Sequence, residues 1–220
     1  MNKYRIKIKL LSDMLLGSGE GLGASVDLDI VLDEMGIPYI PARRFKGALK
    51  DATQDTLEML QQASIEFCKI QNSENVFGKP GQSNSSKIYF SNLYLNEYKK
   101  SKEWFKYLKS EFKDSFSDEV FTNYFTSIRH QTQINNDGVT KEGSLRTFRI
   151  LNNGFEFEGT LEVEENNESI ETIALACTNL RNIGMMRNRG FGEIEVKLYD
   201  NKNVDLTEKA LKKVEALCTE

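Results

Sequence analysis

Two segments far apart in the chain alternate between apolar and charged residues, and their charges are opposite. In residues 3–11, Tyr4, Ile6, Ile8 and Leu10 fall on one side and Arg5, Lys7 and Lys9 on the other. In residues 155–164, Phe155, Phe157, Leu161 and Val163 interleave with Glu156, Glu158, Glu162 and Glu164. A period of two puts each run on a half-buried strand. Between and after them the pattern changes period. Phe45, Leu49, Ala52, Leu60 and Ala63 mark one face of a helix over about 43–64. Residues 87–95 read as a second strand, 169–182 as a helix, Ile194, Val196 and Leu198 as a fourth strand, and 206–217 as a closing helix. The order strand–helix–strand–strand–helix–strand predicts an α+β, ferredoxin-like core of the split βαβ type. In that topology the first and third strands are neighbours. Cross-strand ion pairs then explain both charged faces, and a direct role in binding a charged ligand is the alternative.

The remainder is punctuation and insertion. Residues 17–36 read as loop, ending in a polar turn at Asp33-Glu34-Met35-Gly36, and Pro38-Tyr39-Ile40-Pro41 is extended because each proline disfavours helix before it. Residues 98–127 are charged, aromatic and helical in character, and look like an insertion. Asn-Asn-Asp-Gly and Asn-Asn-Gly turns within 128–153 predict a long hairpin or flexible loop.

Composition excludes several classes. The chain has 220 residues, a formal net charge of −4, and no apolar run near the roughly 18 residues that span a bilayer. The N-terminus opens directly into a strand and does not read as a signal peptide. Cys68, Cys177 and Cys218 are isolated, with no CxxC pair for zinc or a disulfide framework, so the cytoplasm is the expected location. The net charge opposes indiscriminate nucleic-acid binding. It leaves room for a confined basic groove, since Lys and Arg cluster at 43–50, 129–149 and 181–189.

Two glycine-rich loops carry the chemistry. Gly184-Met185-Met186-Arg187-Asn188-Arg189-Gly190-Phe191-Gly192 sets two arginines among glycines. Glycine admits close backbone approach, and arginine offers a fork of donors matched to phosphate. The other loop, with Gly17, Gly19, Gly21 and Gly23, is no dinucleotide fingerprint, because no helix follows until about residue 43. Asp27, Asp29 and Asp33 concentrate acid beside it, where paired carboxylates can hold Mg²⁺ beside a phosphate, and a solvated acidic loop with Asp33 in a turn is the alternative. Arg43, Arg44, Lys46 and Lys50 open a helix, a setting that suits phosphate. His130, the single histidine, stands beside Arg129.

The segment Gly36-Ile37-Pro38-Tyr39-Ile40-Pro41-Ala42-Arg43-Arg44-Phe45-Lys46-Gly47-Ala48-Leu49, with the two glycine-rich loops, resembles the RAMP superfamily of CRISPR-associated proteins. Gly143-Ser144-Leu145-Arg146-Thr147-Phe148-Arg149-Ile150 resembles its type III effector branch, of type III-D-like character. The resemblance runs from about residue 4 to 199, with 97–127 poorly matched. It implies one modified RRM-like domain over 1–220, with 97–153 as an inserted, thumb-like helical and hairpin lobe. It also implies a CRISPR guide-RNA-binding subunit of a multi-subunit effector for antiviral defence, with target RNA and other subunits as partners and no membrane. Two branches remain open. A 5′-handle cap is favoured by 144–150 and 186–192. A repeated backbone subunit would be a metal-dependent endoribonuclease, with Asp27 catalytic and Mg²⁺ its cofactor. A ferredoxin-like interaction domain without RNA is the third reading. No residue is expected to be a dedicated metal ligand. The expected RNA contacts are Gly19, Gly21 and Gly23; Arg43, Arg44, Lys46 and Lys50; Arg129 and His130; Arg146 and Arg149; and Arg187, Asn188, Arg189 and Gly190.

Overall fold

A computed structural model describes residues 1–19, 26–67, 72–78, 88–164 and 168–218. In chain order it contains β1 (Asn2–Leu10), β2 (Tyr39–Ile40), α1 (Ala42–Gln62), α2 (Glu74–Phe77), β3 (Ile88–Phe90), β4 (Leu93–Leu95), α3 (Tyr98–Glu111), α4 (Asp118–Phe125), β5 (Thr126–Gln131), β6 (Arg146–Leu151), β7 (Glu156–Val163), α5 (Glu168–Asn179), β8 (Ile194–Tyr199) and α6 (Leu206–Cys218). The main sheet has the order β2-β4-β7-β1-β8, and β3 also pairs with β7. Counting β3 and β4 as one interrupted strand, this is the ferredoxin-like arrangement with every neighbour antiparallel. Helices α1, α5 and α6 pack together on one face.

The period-two pattern fixes the register. Lys3, Lys7 and Lys9 stand opposite Glu162, Glu158 and Glu156. Lys7 Nζ lies 2.8 Å from Glu158 Oε1 and Lys3 Nζ 3.7 Å from Glu162 Oε1. The complementary charged faces are therefore a cross-strand ladder on the open side of the sheet. The apolar alternates, including Ile6, Ile8, Phe157 and Leu161, are buried beneath it with Leu49, Ile173 and Leu198.

One strand departs from expectation. The segment expected as a single strand over 87–95 is two, interrupted at Ser91–Asn92, and Lys87 lies outside the described residues. The cause is a side-chain substitution in the ladder. Thr160 N–H donates to Ser91 Oγ at 2.8 Å, and Ser91 N–H donates to Thr160 O at 2.9 Å. Asn92 Oδ1 turns away to accept the Ala42 N–H at 2.9 Å, holding the start of α1. Gly159 on β7 makes room, since a Cβ there would meet Leu93 Cγ at 2.8 Å.

The segment α3–β6 lies between β4 and β7 in the chain, where the insertion is expected. Phe105 stacks on Phe121 at 4.1 Å, and Phe121, Phe125, Phe148 and Ile150 join the same hydrophobic core as the sheet. Among the described residues no helix is long and apolar enough to cross a membrane.

The joint between core and C-terminal loop is tight at Gly192. Its φ is +73° and an added Cβ would stand 1.9 Å from the Ile183 carbonyl oxygen. Gly19 also has a positive φ, +90°, but open space around it. Gly192→Ala is expected to cost about 3 kcal/mol or more, and Gly19→Ala only about 1 kcal/mol for its strained backbone. Urea denaturation of the two variants checks the ranking.

Candidate nucleic-acid interface

Four segments meet beyond the C-terminal end of β1: residues 12–19, residues 26–30, the β5–β6 hairpin, and the loop 180–193. Backbone pairing joins them. Met185 N–H donates to Leu15 O at 2.8 Å, and Met14 and Leu151 exchange two bonds of 2.8 Å. Asp27 N–H donates to Thr147 O at 2.8 Å, and Leu28 pairs with Phe148 in parallel. Residues 26–28 thus add a third, parallel edge to the hairpin. Gly17 sits where the loops cross, its missing Cβ leaving 3.2 Å to both Leu28 Cδ1 and Met185 Sδ. The two glycine-rich loops are therefore neighbours, held at one end of the sheet. Gly21 and Gly23 lie outside the described residues.

A buried ion pair locks this junction. Asp29 and Arg149 are 7% and 8% exposed, and Arg149 Nε lies 3.2 Å from Asp29 Oδ1. Asp29 Oδ1 also accepts the Ile30 N–H at 2.7 Å. Arg149 Nη1 donates to Asn123 Oδ1 and Thr126 Oγ1, each at 3.1 Å. Arg149, expected among the RNA contacts, is corrected here: its donors are turned inward and tie α4, the hairpin and the N-terminal loop together.

Around the lock lies a surface of arginines. Strand alternation sets Arg129, Gln131 and Arg146 on one face of the hairpin, with buried Phe148. Arg189 Nη1 donates to Gln131 Oε1 at 2.8 Å, which brings the C-terminal loop onto that face. Arg129 Nη2 lies 3.3 Å from Asp13 Oδ2, and Arg146 Nη1 lies 3.8 Å from Asp27 Oδ1. Arg187 and Asn188 are exposed on the same loop. Residues Arg187–Arg189 form one 3₁₀ turn, closed by Gly190 at φ +81°. Neither this turn nor the part played by Asp13 is legible in the sequence. His130 falls on the opposite hairpin face, with Nδ1 3.0 Å from Thr147 Oγ1.

The helix cations stand apart. Arg43, Lys46 and Lys50 line a groove of about 480 Å³ with Gly78, Tyr89 and Phe90, and Arg44 is exposed nearby in sequence. Lys50 Nζ donates to Gly78 O at 3.1 Å, and burial, then the Lys50 charge, lower the Lys46 pKa. Tyr89 and Phe90 pair with Glu162 and Leu161, whereas the glycine-rich loops adjoin the Glu156 end of β7. The two basic clusters are separated by about 20 Å at ~3.3 Å per strand residue.

The acids do not assemble as a pair. Asp33 accepts the Met35 and Ile37 N–H groups and the Tyr98 hydroxyl, and Asp29 faces inward. Asp27 is half-exposed, its Oδ2 accepting the Thr147 N–H at 2.7 Å. Among the described residues no group of three or more His, Cys, Asp or Glu is placed to hold a metal. A Mg²⁺ ion held there would take Asp27 as its single carboxylate and its remaining ligands from water and phosphate.

The described residues form a ferredoxin-like core in which residues 12–19 and the glycine-rich loop 184–192 meet at a basic hairpin root. The RAMP superfamily model matches residues 7–195, and the chain belongs to that superfamily. Its fold is similar to a chain in the cryo-EM structure of the type III-B Cmr-beta bound to cognate target RNA. That likeness has a TM-score of 0.67 at 16% identity, and covers 90% of this chain and 97% of the other. A chain of the type III-B Cmr-beta apo state is similar at a TM-score of 0.65 and 17% identity, covering 91% of this chain and 98% of the other. No curated protein sequence matches the chain.

The lock makes a stability prediction. Asp29→Ala strands a buried guanidinium and is expected to cost about 3–5 kcal/mol. Asp27→Ala breaks a solvent-screened pair and is expected to cost about 1 kcal/mol or less. Urea midpoints at equal slope measure both.

Proposed function

We propose that this chain is a guide-RNA-binding subunit of a type III-like, multi-subunit RNA-guided effector that works in antiviral defence. The observation that carries the reading is the joined loop surface, on which Arg129, Arg146, Arg187 and Arg189 converge from a hairpin and a glycine-rich turn. Such a surface recognises phosphates, which suits a subunit that accepts many guide sequences. Gly19, Asn188 and Gly190 border it, and the hairpin arm of the 97–153 lobe reaches out beside it. Arg43, Arg44, Lys46 and Lys50 supply a second stretch of contact along the same strand of RNA. Target RNA and neighbouring effector subunits are the remaining partners.

Within such a complex we assign the chain to the 5′ handle of the guide rather than to target cutting. The segments 144–150 and 186–192, which resemble handle-capping members of the family, support this. A cutting backbone subunit and an RNA-free interaction domain are the outcomes that would displace this assignment.

Arg187→Ala with Arg189→Ala is expected to weaken guide binding equally for different spacer sequences. The dependence of log affinity on log salt should flatten by about 0.7 for each phosphate that the variant no longer neutralises. Unchanged binding would leave the loop a structural element only. Regular target cutting by the reconstituted complex, lost on Asp27→Ala, would make the chain a nuclease.

Residues 132–143 are exposed throughout. Deleting 131–143 is therefore expected to leave the isolated chain folded by circular dichroism while impairing assembly or target pairing. Unfolding on deletion would give the arm a core role.

A further inference from the structure

Asp13 and Asp27 occupy matching positions on the hairpin and its flank. Asp13 Oδ1 accepts the Asn153 N–H at 3.0 Å and the Asn153 side-chain amide at 3.2 Å, while its Oδ2 meets Arg129. Asp27 Oδ2 accepts the Thr147 N–H, while its Oδ1 faces Arg146. In each case one carboxylate oxygen is fastened to backbone and the other is presented to an arginine. The side chains of Arg129 and Arg146 are 58% and 68% exposed, so solvent and ligands reach both guanidinium groups. A carboxylate held against a guanidinium takes the place that a phosphate oxygen takes in an arginine–phosphate contact.

We propose that Asp13 and Asp27 are internal phosphate mimics. They occupy Arg129 and Arg146 in the free protein, and RNA must displace them to reach those arginines. This rests on the RNA-binding reading above. The pairs are exposed and loose, at 3.3 and 3.8 Å, so a phosphate displaces them readily. A stray RNA that touches only this surface meets the full competition. A guide held also by Arg187, Arg189 and neighbouring subunits overcomes it. The device lowers affinity for bulk RNA without removing the arginines that a guide needs, in keeping with a net charge of −4.

Asparagine separates competition from positioning. It keeps an oxygen for the Asn153 or Thr147 N–H and removes the charge. Fluorescence anisotropy of a single-stranded RNA oligonucleotide titrated with the full chain gives the readout, over a salt series. Asp13→Asn and Asp27→Asn should each tighten binding by about two- to fivefold, the range of an exposed ion pair. The salt slope should steepen by up to about 0.7 for each arginine released. The gain from Asp27→Asn should vanish when Arg146→Ala is added, and that from Asp13→Asn when Arg129→Ala is added. Equal or weaker binding by the asparagine variants, with the arginine variants still impaired, would overturn the mimicry and leave the RNA reading standing. No RNA binding by wild type or any variant would overturn both.

Discussion

The Asp29–Arg149 ion pair is the constraint on which the rest of the interface depends. It is the place where one guanidinium is ion-paired to the N-terminal loop and hydrogen-bonded to α4 and to the start of the hairpin. Its cost of burial is offset only because neighbouring polar atoms complete the geometry: the Ile30 N–H on one side, Asn123 and Thr126 on the other. With that lock closed, Leu28 lies against Phe148, Gly17 against Met185, and the C-terminal loop is drawn to the hairpin root. The exposed arginines are thus carried on segments tied to one another through backbone and the buried pair.

Electrostatics are divided by face. The open side of the sheet neutralises itself through the Lys–Glu ladder, so its many charges cancel in pairs. The loop end concentrates arginine with two restraining aspartates, and α1 carries a separate basic groove at the far end of β7. An acidic chain with one confined arginine surface approaches RNA in a limited set of orientations.

Much of the fold was legible because it follows from period and from charge. The alternation at 3–11 and 155–164 set both the strands and their pairing, since a slip of one residue would bury Lys7 and Glu158. The helix over Phe45 and Leu49 was visible as a stripe. What escaped depends on residues far apart in the chain. The break at Ser91–Asn92 comes from a hydroxyl that substitutes in the ladder with Thr160, 69 residues on. Arg149 looked like its exposed neighbour Arg146, but strand alternation turns it toward Asp29. Asp13, a lone acid after β1, gave no local sign that it would face Arg129. At the loop end, the proximity of residues 17–19 to the loop 184–192 was readable, whereas the acids that face Arg129 and Arg146 were not.

The central claim is that RNA backbone lies across the hairpin root and the Arg187–Arg189 turn. Ultraviolet cross-linking of the assembled complex on its guide, read by mass spectrometry, tests it most directly. Cross-linked peptides should contain residues 129–131, 146–147 and 187–190. Cross-links confined to the Lys–Glu face of the sheet, or absent from both the hairpin root and the turn, would contradict it.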